Sequence, residues 1–127
     1  KISQETFITR PVVVLAIFQA DANAMQMIKE TSGLQTVYRL KDEALDEVLG
    51  EAVISESAIE IRLHGIFVKP DYRGRGHGRT LMEAILSLGE AKPITLCTGL
   101  GNIAFFKRFG FEVTNVGESL VSMEKRL

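Results

Sequence analysis

Arg73-Gly74-Arg75-Gly76-His77-Gly78 packs two arginines, a histidine and three glycines into six consecutive positions, with Arg79 next in line. An apolar stretch at residues 59–68 precedes it and a periodic apolar segment at residues 81–88 follows, so the order is strand, turn, helix start. Glycine lacks Cβ and accepts positive φ, and alternate glycines let a loop curl until successive backbone N–H groups converge on one point. A helix opening near Arg79 adds unpaired N–H donors and the positive end of its dipole, while Arg73, Arg75 and Arg79 supply full charges. The chemistry this suits is capture of a phosphate or pyrophosphate. Two common phosphate loops are excluded. The Walker pattern requires Lys-Ser/Thr after its last glycine, where this chain has Arg79-Thr80, and the dinucleotide fingerprint GxGxxG does not match glycines spaced evenly by two.

The elements that must position this loop can be read along the chain. Residues 12–18 are rich in β-branched side chains and suit a buried strand; Asp21 then serves as N-cap of a helix running through Ala24, Met27 and Ile28 to a stop at Gly33, with Pro11 as an alternative opening of a longer helix. Residues 36–40, 48–55 and 59–68 are three strand-like runs with short polar connections, as in an antiparallel meander. Leu81, Ile85 and Leu88 share one helical face, and after Pro93 residues 94–97 read as a buried strand reached by a crossover. Asn102 can cap a further helix that Gly110 ends, and residues 111–116 and 120–125 make a terminal pair around Gly117.

Composition limits what such a fold can do. A chain of 127 residues that is 46% hydrophobic supplies one core, so residues 1–127 are expected to form a single domain. With 15 basic and 16 acidic residues there is no general polyanion surface, and nucleic acid is not an expected partner. One cysteine, Cys97, precludes an internal disulfide, and two histidines make no zinc site, so no metal is expected. Cys97 lies in an apolar run, where the ordinary role is a small buried side chain. The apolar stretch at residues 11–20 is too short to span a bilayer, and a cytoplasmic location is expected. The chain begins with Lys1, so a native start upstream is expected as well.

The pattern Arg-x-x-Gly-x-Gly, preceded by Val68-Lys69-Pro70-Asp71-Tyr72, resembles the acetyl-CoA loop of the GNAT superfamily of N-acetyltransferases. Asn102-Ile103-Ala104-Phe105-Phe106-Lys107-Arg108-Phe109-Gly110-Phe111 resembles the short helix after that family's fifth strand, and the segment from Leu120 to Arg126 is similar to its final strand. The resemblance implies an α/β (α+β) fold: a mixed, mostly antiparallel sheet of about six to seven strands, flanked by about three helices, with splayed central strands. It implies acetyl-CoA as cosubstrate, the pantetheine arm bonding to backbone at Ile66, Phe67 and Val68, and the pyrophosphate held across Arg73, Gly74, Arg75, Gly76, His77, Gly78 and Arg79. Asn102 would bond the arm as well as cap its helix, with Lys107 or Arg108 as candidates for the 3′-phosphate. His77, within the loop, is expected to face solvent. The implied activity is acetyl transfer to a primary amine of a small molecule or peptide by direct attack in a ternary complex. A homodimer, in which a second copy completes the acceptor pocket, is compatible with it. The alternative is a non-catalytic acyl-CoA-binding or sensor domain.

Acetyl transfer needs a deprotonated amine, stabilisation of developing oxyanion charge and a proton for the departing thiolate. Many members of that family carry a tyrosine at the position of Phe106, and a phenyl ring has no proton to give. This departure favours the sensor alternative. For the base, strand alternation puts Ile61 and Leu63 on one face and Glu60, Arg62 and His64 on the other. His64 is the tentative base or water relay, being nearest the splay between the central strands that the resemblance implies, with Glu60 as the weaker alternative. Tyr72 reads as structural, and Phe105, Phe109 and Phe111 as core.

Overall fold

The structure, a computed structural model, describes the backbone at residues 12–20 and 23–127, and side chains from Met25 onward except at residues 89 and 90. Among the described residues the chain forms eight strands and two α-helices: β1 (Val12–Ala20), β2 (Asn23–Ser32), β3 (Gln35–Asp42), β4 (Glu47–Glu56), β5 (Ile61–Val68), α1 (His77–Leu86), β6 (Ile94–Gly99), α2 (Ile103–Lys107), β7 (Glu112–Val116) and β8 (Leu120–Lys125). The strands build one sheet in the order β1-β2-β3-β4-β5-β6-β8-β7. Every neighbouring pair is antiparallel except β5 and β6, which are parallel and joined by the crossover through α1. The mixed, mostly antiparallel sheet with flanking helices is the expected fold class.

One element of the sequence reading is corrected. The segment through Ala24, Met27 and Ile28 is not a helix but β2, and Gly33, at φ +63°, turns the chain into β3. Its apolar residues admit two periods, and the structure uses the shorter. Met25 and Met27 are buried with Gln26 and Ile28 on the other face, and pairing sets Met27 opposite Leu40. Asp21, expected as the cap of that helix, lies outside the described residues, as does Pro11.

The core lies on one face of the sheet, under α1. β3 alternates cleanly, with Thr36, Tyr38, Leu40 and Asp42 turned inward. Ala52 and Ile54 of β4, Ile61 and Leu63 of β5, and Ile94 and Leu96 of β6 continue this layer, against Leu81, Met82 and Ile85 of α1. At period 3.6 those three helical positions share one face. The opposite face is polar around β3 to β6: Arg39 donates to Glu30 at 2.6 Å and to Glu51 at 2.9 Å. No helix among the described residues is long and apolar enough to cross a membrane.

Candidate active site

β5 and β6 pair at three positions only, Ile61 with Ile94, Arg62 with Thr95 and Leu63 with Leu96, and the ladder ends there. β5 nevertheless stays paired with β4 as far as Val68. From His64 on one side and Cys97 on the other, the two parallel strands diverge into a cleft of about 810 Å³. Its floor and walls come from residues 63–68, the glycine loop, the start of α1, and Phe105, Phe106 and Phe109 around α2.

The backbone of β5 offers this cleft a one-sided set of hydrogen-bonding groups. Lys69 N–H donates to Leu49 C=O at 2.8 Å, so Lys69 faces β4; by alternation Phe67 does too, and the N–H and C=O of Ile66 and Val68 turn to the cleft. The Val68 carbonyl already accepts from Arg73 Nε at 2.8 Å. Phe67 thus contributes its ring and not its backbone: it is 54% exposed, with the Arg73 guanidinium 5.2 Å from the ring centre. An extended ligand laid along the split edge would find hydrogen-bonding partners where β6 has left.

At the wide end of the split, a 3₁₀ turn over Pro70–Tyr72 leads into the glycine loop. Gly76 takes φ +86° and caps α1, a conformation that costs any residue with a Cβ. The helix opens at His77, two residues earlier than expected, so His77 and Gly78 lie in its first turn. His77 is correspondingly buried, 5% exposed, and not the solvent-facing side chain the sequence suggested. Gly78 lies against the aromatic wall, where an added Cβ would stand 3.5 Å from Phe105. Arg75 lies over Tyr72 and Arg79 over Phe109, at 5.7 and 6.0 Å from the ring centres. Helix start, loop and the Arg73 and Arg79 side chains therefore line one end of the cleft, whereas Arg75 is turned onto Tyr72 and does not line it. The Tyr72 hydroxyl donates to Glu47 Oε1 at 2.8 Å, which lowers the Glu47 carboxyl below its ordinary pKa, with Lys69 assisting, and raises the phenol.

At the narrow end, a β-bulge sets the side chains. Ile54 pairs with Leu63 and Val53 with Gly65, so His64 is the extra residue in β5. The bulge shifts the alternation that the sequence reading assumed: Ile61 and Leu63 face the core before it, Ile66 and Val68 pack toward the core after it, and His64 turns to the open face. There its Nε2 lies 2.7 Å from Ser55 Oγ. Glu60 does not reach the cleft. It precedes β5 at the paired end, where its carboxylate accepts from the Thr95 hydroxyl at 3.4 Å.

Cys97 is exposed and lines the cleft, contrary to the buried role expected of it. Ser122 Oγ at 3.5 Å, and then the Arg62 guanidinium at 3.3 Å, hold its thiol below the usual pKa, partial burial working the other way. The signal was present in the sequence: with Ile94 and Leu96 inward, period two turns Cys97 outward. Asn102 lies at the cleft but makes no side-chain cap; its Nδ2 donates to Thr98 Oγ1 at 3.0 Å. Arg108 lines the cleft. Phe106 is 5% exposed and held edge-on between Phe105 and Phe111, so it presents only apolar surface. Phe111 is core, as expected, whereas Phe105 and Phe109 also form cleft wall.

Comparison with known proteins agrees with this geometry. The model of the acetyltransferase (GNAT) domain matches residues 33–113, more than half of the chain. An uncharacterised N-acetyltransferase of Methanocaldococcus jannaschii is 37% identical over 71 residues, which span 51% of this chain and 31% of that protein. The chain thus matches about a third of the length of that curated relative. Among solved structures, the Paia N-acetyltransferase of Thermoplasma acidophilum, in complex with coenzyme A, is similar over 72% of this chain and 61% of that chain, with 23% identity and a TM-score of 0.61. Naa50 of Arabidopsis thaliana, bound to the bisubstrate analogue CoA-Ac-MVNAL, is similar over 72% of each chain, with 22% identity and a TM-score of 0.62. At those identities the two structures speak to the fold.

Proposed function

Given that the chain belongs to the GNAT acetyltransferase family, we propose that it transfers an acetyl group from acetyl-CoA to a primary amine of a small molecule or peptide, by direct attack within a ternary complex. The observation that carries this reading is the split between β5 and β6, with a cationic glycine loop at its wide end and a histidine at its narrow end. The complexes of the Thermoplasma and Arabidopsis proteins with coenzyme A and a coenzyme A conjugate support the choice of donor. The site fits such a donor: the groups of Ile66 and Val68 suit an extended amide-bearing arm, and the N-terminus of α1 with Arg73 and Arg79 suits a pyrophosphate. Arg108 is the better placed of the two cations offered for the 3′-phosphate. We take residues 1–127 as one such domain. A reducing compartment such as the cytoplasm suits its exposed thiol.

Acetyl-CoA supplies an activated thioester; the chain supplies position and proton handling. His64 can serve as base: with its Nε2–H donating to Ser55 Oγ, Nδ1 keeps the lone pair needed to take a proton from the amine, directly or through water. Phe106 excludes water from one wall and gives no proton. The departing thiolate therefore takes its proton from solvent on the open face. The apolar Phe106 also favours a second reading, an acyl-CoA sensor without turnover. Thiol release from acetyl-CoA across a panel of amines, alongside calorimetry with coenzyme A, tests both. Binding with amine-dependent thiol release is expected, binding without release across the panel would favour the sensor, and absence of binding would overturn both.

A further inference from the structure

Gly65 is a glycine that the fold does not require. It lies mid-strand in β5, where glycine weakens a ladder by offering no side chain to pack. Its φ is not positive, and the bulge beside it does not demand a left-handed residue. A Cβ built there would meet nothing within 4 Å beyond its two chain neighbours. Gly50 shows the contrast, for there an added Cβ would come within 2.8 Å of the Phe67 carbonyl. Neither backbone conformation nor protein packing explains Gly65, yet it lines the cleft directly beside His64. A missing side chain in that position leaves room for something outside the protein.

The direction of that room is fixed by the ladder. Gly65 pairs with Val53, and directly opposed residues of an antiparallel pair share a face. Ala52 and Ile54 on either side of Val53 are core, so Val53 and Gly65 face the open side of the sheet. The other exits at the narrow end are shut. In the plane of the sheet the cleft stops at the Leu63 and Leu96 pair, and toward the core it stops at those buried side chains and Phe106. A donor whose pyrophosphate is held at the wide end brings its acyl group to the narrow end, and any carbon beyond the carbonyl leaves by the open face, between Gly65 on β5 and the exposed Cys97 on β6.

We propose that Gly65 is a specificity-determining residue that admits acyl groups longer than acetyl, so that the donors are short unbranched acyl-CoA thioesters and not acetyl-CoA alone. This rests on the reading of the cleft as an acyl-CoA site, and its test is kept separable from that reading. Calorimetry with coenzyme A, acetyl-CoA and butyryl-CoA needs no knowledge of the acceptor. The unmodified chain should hold acetyl-CoA and butyryl-CoA within about threefold of each other, since both tails fit the open space. Gly65→Val should weaken butyryl-CoA by about tenfold or more relative to coenzyme A, with Gly65→Ala intermediate, because side-chain carbons then occupy the exit. Thermal melting should show both variants folded, as a branched residue suits a strand. Failure of the unmodified chain to bind coenzyme A would overturn the acyl-CoA reading and this one with it. If coenzyme A binds but butyryl-CoA is rejected, or if folded Gly65→Val holds all three ligands in unchanged ratio, only the role of Gly65 falls.

Discussion

The two halves of the β5–β6 pair are made of similar residues and do opposite work. In the closed half, Ile61 and Leu63 meet Ile94 and Leu96 in register, all four buried beneath α1. In the split half, Ile66 and Val68 still pack toward the core, but no rung of the ladder crosses to β6. The closed half satisfies its backbone within the sheet; the split half leaves part of its backbone without a strand partner on the β6 side. Two features sit at the change. The His64 bulge re-aims the side chains of β5, and the glycine loop gives the open end a helix terminus and guanidinium groups. On the proposed reading, a sheet defect becomes a site because rigid strands hold it from both sides.

The contrast is broken most severely from the closed half. Ile94 is fully buried and absent from the cleft wall, so Ile94→Ala should cost about 2 to 5 kcal/mol of unfolding free energy by lost burial and a residual cavity. Affinity of the folded fraction for coenzyme A should change little. Chemical denaturation followed by calorimetry checks both, and a loss below about 1 kcal/mol would mean that the closed half does not anchor the split. On the other side, Gly76→Asp should weaken acetyl-CoA binding by about 100-fold or more, through repulsion of the pyrophosphate and a Cβ in the loop. There is room for that Cβ in the protein itself, with nothing within 4 Å, and Asp tolerates the left-handed region better than most residues. Gly76→Ala separates charge from shape. An unchanged affinity in the folded Asp variant would move the anion elsewhere.

How much of this was legible in the sequence depended on whether local chemistry or long-range pairing decided it. The glycine loop, the strand before it and the helix after it were legible because turn and helix-start signals are local. The strand at β2 was not, since Ala24, Met27 and Ile28 fit a helix as well as a strand, and pairing with Leu40 and Tyr38 of β3 decides between them. His64 was placed on the right face for an incomplete reason: simple alternation ignores the bulge, which is visible only when β4 is laid beside β5. The same blindness put Glu60 near the chemistry, although it lies at the closed end. Cys97 is the opposite case: period two with Ile94 and Leu96 inward turns it outward, and only the assumption that both faces of its strand are covered buries it.

The bulge can be tested as the point where the sheet becomes a site. His64→Gln preserves a hydrogen bond to Ser55 but cannot accept and release a proton in the same way, so turnover should fall by about 100-fold if general-base catalysis is lost. Acetyl-CoA affinity should hold, with turnover compared at saturating amine and affinity followed by calorimetry. A folded variant with unchanged turnover would return His64 to a purely structural place beside Ser55.

The smallest effect belongs to the wide end of the split, where β5 is held to β4 after it has lost β6. Lys69 N–H bonds Leu49, and Glu47 takes both the Tyr72 hydroxyl and the Lys69 ammonium. The Glu47 carboxyl is lowered by that hydroxyl first and the ammonium second, so its contribution is present above the unfolded carboxyl range and is lost as pH falls through the lower folded value. The Tyr72 phenol is raised, chiefly by Glu47, so its contribution holds below the unfolded phenol range and is lost as pH rises through the higher folded value. Between those limits, across neutral pH, the pair acts at full strength, though solvent screening keeps it weak. Tyr72→Phe should therefore lower Tm slightly at pH 7, and the difference from the parent should shrink as the acid range is entered. Acetyl-CoA affinity should drop by no more than about threefold, because the loop loses one anchor but keeps the Arg73 bond to Val68. A variant whose Tm deficit stays constant from pH 7 until the carboxyl groups are fully protonated would show that Tyr72 holds the loop by packing alone.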